Sequence, residues 1–214
     1  MANAEASDLL MMFTKDGQPI KAASRTDFRT GGTSTNPLLK GFTEGCVFEI
    51  NKFTFGAGAV DKDGPDDDDS KQKGDDKKSK FLKPTKSSYQ HWRSGKMQAY
   101  PVDMHPVTFT RYIDSVSSVL MQNCIDCLYY DRVTLIKRKA VGNKAVGEAF
   151  MRFDFTNALV VSMDWSNDDE VEETCRLICR SVTINYRPQL PDGTLGALVP
   201  AFWSMAPGDK QVVL

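Results

Sequence analysis

Alternating apolar and polar residues over two long runs constrain the fold of this 214-residue chain most strongly. In Glu148–Trp165 the apolar positions Met151, Phe153 and Phe155 alternate with Arg152, Asp154 and Thr156, and the phase shifts around Asn157. In Thr174–Tyr186 the apolar set Val182, Ile184, Tyr186 alternates with the polar set Ser181, Thr183, Asn185. A period of two is that of a β-strand, and a phase shift indicates a bulge or bend. The two runs therefore predict long strands, the first of them bulged.

Shorter segments add further strands and one helix. Strands are predicted at Leu9–Phe13 before a Lys15-Asp16-Gly17 turn, and at Cys46–Phe55, Val107–Tyr112 and Arg132–Lys139, with a hairpin turn over Val141–Lys144 and an acidic connection over Asp168–Glu173. A helix capped by Asp114 or Ser115 follows the third of these strands. Its predicted buried face is Val116, Val119, Leu120, Cys124, Cys127 and Leu128. The pattern predicts a mainly β fold, a small β-barrel of antiparallel strands with one short flanking α-helix.

A charged segment interrupts this pattern at about residues 59–98. Between Asp61 and Lys86 it contains eight aspartates and eight lysines, a composition that cannot form a core. Asp61-x-Asp63-Gly64 resembles the start of a calcium loop, but the sixth and twelfth positions are Asp66 and Gln72 rather than Gly and Glu. We therefore interpret residues 1–214 as a single domain interrupted by a flexible charged loop.

Five cysteines, an odd number, predict reduced thiols rather than a disulfide framework. They are Cys46, Cys124, Cys127, Cys175 and Cys179. Four of them could in principle bind zinc, but Cys124 and Cys127 continue a helix stripe and Cys175 and Cys179 lie on a strand, without turns rich in Gly, Pro or Lys. We expect no metal and no cofactor.

Charge and residue usage disfavour several functions. The net charge of -1 gives no bulk attraction for nucleic acid or anionic membranes, and the aromatic residues are not interleaved with a basic face. No apolar run is long enough to insert into a membrane, and Met1–Asp8 lacks the order of a signal peptide, which predicts a chain that starts in the cytoplasm. Neither His91 nor His105 lies in a context that pairs it with a nucleophile, so no catalytic residue is predicted and the chain is expected not to be an enzyme.

Four stretches together resemble the Hcp (haemolysin-coregulated protein) family, the inner tube subunits of bacterial type VI secretion systems. They are FEINKFTFGAG at Phe48–Gly58, VTFTRYIDSVSSVLM at Val107–Met121, VTLIKRKAVG at Val133–Gly142 and VTINYRPQLPDGTLG at Val182–Gly196. Their order is also that of the family. The resemblance covers about Leu9 to Trp203, and the charged segment departs from it as an enlarged loop.

The resemblance implies a small barrel, six copies in a ring, and rings stacked into a hollow tube that is expelled from the cell and can carry effectors. Implied partners are other copies of the chain, spike and sheath proteins, and secreted effectors. Implied subunit-interface residues are Arg111, Tyr112, Asp114, Val182, Ile184 and Tyr186. Ser181, Thr183 and Asn185 fit a face toward the lumen, and equally a face toward ordinary solvent.

Two alternatives come from other classes. One is a monomeric β-barrel binding module for a small ligand or a partner strand, and the other is an enlarged member of the same family with an effector activity. The second is disfavoured because only about 40 low-complexity residues are available for chemistry. For the charged loop the hypothesis is salt-sensitive tuning of ring stacking, which deletion of Asp61–Lys86 tests, since unchanged stacking at low and high salt would reject it.

Overall fold

The computed structural model describes residues 8–22, 36–43, 45–59, 102–139, 147–167 and 171–205. The hairpin turn at Val141–Lys144, His91 and most of the charged loop lie outside these residues. The described elements are β1 (Leu9–Lys15), β2 (Gln18–Pro19), a 3-10 helix (Pro37–Leu39), β3 (Phe48–Glu49), β4 (Lys52–Thr54), β5 (Ala57–Ala59), β6 (Val102–Met104), β7 (Val107–Tyr112), α1 (Ser117–Ile125), β8 (Tyr130–Lys139), β9 (Glu148–Asn167), β10 (Val171–Tyr186) and β11 (Val199–Ser204).

Nine of these strands form one antiparallel sheet. Its path runs β2-β1-β8-β9-β10-β7-β4, with β3 added to β1 and β11 added to β10. The predicted mainly β architecture with one flanking α-helix is confirmed for the described part of the chain. The sheet is not closed into a continuous barrel. Residues 48–54 are divided into β3, which pairs with β1 near one end of the sheet, and β4, which pairs with β7 at the other end.

An aromatic cluster fills the inner face of the sheet. The Phe13 ring lies 5.4 Å from the Phe48 ring, 4.9 Å from the Tyr130 ring and 6.2 Å from the Phe109 ring, measured between centroids. All four side chains are essentially fully buried. Burying one such side chain is worth about 1.5–3 kcal/mol, so this cluster is a principal source of stability.

A second core lies on the other face of β1, β8 and β9. Asn36 organises the covering segment, because its Oδ1 accepts from the Leu38 N–H and its Nδ2 donates to the Ala149 carbonyl at 2.9 Å. Arg152 Nη1 donates to the carbonyls of Leu38 and Lys40 and fixes the segment to β9. The apolar residues that meet there are Leu10, Met12, Leu38, Phe42, Cys46, Val47, Ile136 and Ala149.

The predicted phase shift in the long strand is confirmed at Asn157. This residue has φ 47°, a left-handed conformation that Asn adopts more readily than most residues. The buried positions are Phe153 and Phe155 before it and Ala158 and Val160 after it. One irregular residue thus changes which side chains of β9 enter the core.

The predicted helix face is correct in part, because Val116 and Leu120 are buried and Cys124 is half-buried. The helix begins at Ser117, later than a cap at Asp114 or Ser115 would place it, and Val116 at the cap position has no side-chain cap bond. Its buried residues are Ser117, Leu120 and Asn123, whereas Val119, Cys127 and Leu128 are exposed. Polar residues take the inward positions because they have buried hydrogen-bond partners there.

The boundaries of the last strands also differ from prediction. β10 begins at Val171, so Glu172 and Glu173 belong to the strand and not to an acidic connection. Glu173 is in the strand because it lies directly opposite Arg111 of β7. The strand β11 was not predicted at all, and it extends the sheet along Ser181–Tyr186.

The chain divides into two compact units, Met1–Thr54 with Pro106–Leu214 and Phe55–His105. In the second unit, β5 and β6 form a two-stranded antiparallel ladder. The His105 N–H donates to the Gly56 carbonyl at 2.9 Å. The imidazole of His105 packs over Gly56 and Gly58, where an added Cβ would lie 3.5 Å from the ring.

Candidate assembly surface

The sequence-predicted interface residue Arg111 belongs to a buried ionic network. Its Nε donates to Glu173 Oε1 at 2.5 Å, and the two side chains are 2% and 0% exposed. Its Nη2 contacts the Asp114 carboxylate and donates to Ser117 Oγ at 3.1 Å. The guanidinium lies 4.7 Å from the centroid of the Phe48 ring.

This network fixes the junction between β7 and α1. Asp114 Oδ1 also accepts from the Val116 N–H at 2.9 Å, and Ser117 Oγ accepts from the Asp114 N–H at 3.1 Å. Arg111 therefore joins two strands to the start of the helix. Because its side chain is buried inside the subunit, it can act on an interface only by positioning neighbouring residues, and Asp114 is itself partly buried.

Large apolar side chains are exposed close to this network. Tyr112 is 51% exposed and lies opposite Glu172, while Trp165 is 53% exposed and lies opposite Glu173. The exposed large apolar residues of β7, β9 and β10 are Tyr112, Val161, Trp165, Val171, Ile178 and Tyr186. Aromatic residues of this kind are enriched where one protein surface covers another.

The other three predicted interface residues lie on the second half of β10. Val182 is buried opposite Phe155 and Trp203, so its side chain serves the core. Ile184 is partly buried, and Tyr186 is 36% exposed with its ring 6.2 Å from that of Phe150. Of this set, Tyr186 offers the most accessible surface.

The three predicted lumen-facing residues are half-buried. Thr183 lies opposite Asp154 and Asn185 opposite Arg152, and Ser181 lies opposite Thr156. They share the face that carries the Arg152–Asp154 ion pair. Whether that face lines a lumen stays a prediction.

A polar cavity of about 440 Å³ lies where β10 leaves the sheet, between Asn36, Glu148, Arg187 and the chain from Thr194 to Leu198. Arg187 Nε donates to the Gly196 carbonyl and Nη2 to the Leu195 carbonyl, both at 2.9 Å. Because both hydrogen bonds stabilise the loop that follows β10, the Arg187 guanidinium has a structural role.

Burial changes the acidity of the strand cysteines. It raises the pKa of the Cys179 thiol to about 11 and raises that of Cys175 further still. All five cysteines are free thiols. No helix in the described ranges is long and apolar enough to cross a bilayer.

Comparison with known proteins finds a family match and several solved structures with the same fold. The family model described as "Type VI secretion system effector, Hcp" matches residues 72–188. A solved structure titled as that of a type six secretion system protein is 20% identical, with a TM-score of 0.59, and the alignment covers 94% of this chain and 96% of the other. Hcp1 from the E. coli EAEC 042 pathovar, solved as a mutant, is 15% identical with a TM-score of 0.52 and coverages of 92% and 100%. The secreted protein Hcp3 from Pseudomonas aeruginosa is 12% identical with a TM-score of 0.53 and coverages of 91% and 97%.

No curated protein matches the chain in sequence. The antiparallel sheet with one flanking helix is the fold that these solved secretion proteins share with this chain. The family match extends over more than half of the residues, and the chain belongs to the Hcp family of type VI secretion proteins. It is therefore a tube subunit, of a family whose members are secreted and generally have a structural role.

Proposed function

We propose that six copies of this chain form a ring through exposed side chains that include Tyr112, opposite the start of β10, and Tyr186, at its end, and that the rings stack into a hollow tube. Family membership supports the tube. The observation that carries the choice of surface is the exposure of large apolar side chains on β7, β9 and β10, because aromatic side chains are enriched where one protein surface covers another.

The free side of β11 supports the same surface. β11 pairs with β10 on one side, and no strand within the described residues pairs with its other side. An accessible strand edge is a template for a second chain unless it is covered or interrupted. Pro200 interrupts it in part, since proline has no N–H to donate, so contacts there depend on side chains as well as on the backbone.

The ring assembles in the cytoplasm, and a sheath then drives it out together with a spike protein. Effectors travel in a lumen lined by Ser181, Thr183 and Asn185. Residues 1–214 act as one domain, with the charged segment near residues 59–98 tuning the stacking of rings.

Three tyrosine variants test the chosen surface. Tyr112→Glu and Tyr186→Glu are expected to weaken self-association at least tenfold, because each places a carboxylate where an apolar contact is buried on assembly. Light scattering of the full chain should move from about 143 kDa, six subunits of 23.8 kDa, toward 23.8 kDa.

Tyr129→Glu is the matched control. Tyr129 is 62% exposed in the connection between α1 and β8, away from the proposed surface, so this variant should keep the mass of the unmodified chain. Equal loss of assembly in all three variants, or in none, would contradict the chosen surface without affecting family membership.

A further inference from the structure

The end of α1 carries two cysteines in an unusual turn. Cys127 follows the helix with φ 52°, and its N–H donates to the Cys124 carbonyl at 3.2 Å. The Leu128 N–H donates to the Asn123 carbonyl at 2.9 Å. This pair of bonds is the Schellman arrangement that ends many helices, with Cys127 at the position usually occupied by glycine.

A cysteine at this position is costly. A residue with a Cβ in the left-handed region loses about 1–2 kcal/mol relative to the ordinary conformation, a cost that glycine avoids. The turn also brings Cys124 and Cys127 close together, because residues three apart in such a turn have Cα atoms less than about 7 Å apart. Disulfides span Cα separations of about 4.4–6.8 Å.

The surroundings hold the helix end in place and leave the pair accessible. Asn123 Nδ2 donates to the Tyr130 hydroxyl at 3.0 Å, and Lys15 Nζ donates to Asn123 Oδ1 at 3.1 Å. Cys127 is exposed and Cys124 is half-buried, whereas Cys46 and Cys175 are buried.

We infer that Cys124 and Cys127 form a dithiol modification site that oxidises to an intrachain disulfide when the protein meets a small-molecule disulfide such as oxidised glutathione. The exposed Cys127 thiolate attacks one sulfur of oxidised glutathione, which forms a mixed disulfide and releases one glutathione thiolate. The Cys124 thiolate then attacks the Cys127 sulfur and releases the second. Two protein thiols are oxidised, one glutathione disulfide is reduced to two thiols, and the two protons pass to the released glutathione.

The site differs from the CxxC motif of disulfide oxidoreductases. There a helix N-terminus lowers the pKa of the attacking cysteine, whereas this pair lies at a helix C-terminus, where the dipole disfavours a thiolate. Burial and the neighbouring Cys127 both raise the pKa of Cys124. The closing step is consequently slow at neutral pH, and the disulfide suits a protein that leaves the reducing cytoplasm once and does not return.

The oxidation of Cys124 and Cys127 is measured on the full chain by the mass of one tryptic peptide. Trypsin should release Tyr112–Arg132, which contains both cysteines and no internal Lys or Arg. After incubation with oxidised glutathione this peptide should be lighter by two hydrogens. The closing rate should rise about tenfold per pH unit below the pKa of Cys124, in proportion to the thiolate fraction.

Variants separate the steps. Cys124→Ser should accumulate glutathione on Cys127, Cys127→Ser should prevent closure, and the control Cys179→Ser should close at the rate of the unmodified chain. A stable mixed disulfide in the unmodified chain, an interchain dimer in place of the closed peptide, or no reaction at all would overturn the inference. Circular dichroism checks that each variant is folded, and Cys124→Ala repeats the first test if Cys124→Ser is not. Because the site lies within one chain, its failure would leave the proposed ring intact.

Discussion

Arg111→Met is expected to lower the free energy of unfolding by about 3–5 kcal/mol. The variant leaves the Glu173 carboxylate 0% exposed with no cation beside it. One carboxylate oxygen of Glu173, Oε2, has no hydrogen-bond partner among the described residues even before the substitution. Removing the guanidinium thus deprives a fully buried charge of its ionic partner. It also removes the hydrogen bonds by which Arg111 of β7 contacts Glu173 of β10 and Ser117 at the start of α1.

The control for this prediction is the double variant Arg111→Met with Glu173→Leu. Replacing both members of a buried ion pair by apolar residues removes the uncompensated charge, so the double variant should be clearly more stable than Arg111→Met alone. Urea unfolding at one fixed protein concentration measures both. Equal losses in the single and double variants would contradict the uncompensated Glu173 charge as the cause of the loss.

Phe13→Ala should also cost about 3–5 kcal/mol, because the truncated side chain leaves a cavity between the rings of Phe48, Phe109 and Tyr130. Phe13→Leu keeps most of the volume and should lose less than half as much. Phe202→Ala, at a half-exposed position of β11, is the matched control and should lose about 1 kcal/mol or less. Similar losses at Phe13 and Phe202 would place the main core elsewhere.

The long strands could be predicted because their side chains alternate between a buried and an accessible face. Even the irregularity at Asn157 is visible in the sequence, since the apolar positions change phase there. β11 could not be found in the same way. It is short, contains Pro200, and is a strand only because it pairs with β10. The covering segment around Asn36 has a loop composition, and its burial comes from hydrogen bonds to Ala149 and Arg152 more than 110 residues away.

The helix shows why the candidate surface was only partly predictable. Helical periodicity predicts that the apolar residues of α1 face the interior. Ser117 and Asn123 are buried instead, because Arg111 and Tyr130 form buried hydrogen bonds with them. For the same reason Arg111, a charged residue that the family resemblance places at a subunit interface, lies in the core. Its partner Glu173 is 62 residues away, and only the ladder between β7 and β10 brings the two together.

Electron micrographs of the purified full chain test the tube-subunit account most directly. If the chain is a tube subunit, the class averages show sixfold symmetry and a central hole, and side views at high concentration show stacked rings. Uniform single particles of about 24 kDa at every concentration, with no ring on any grid, would contradict it.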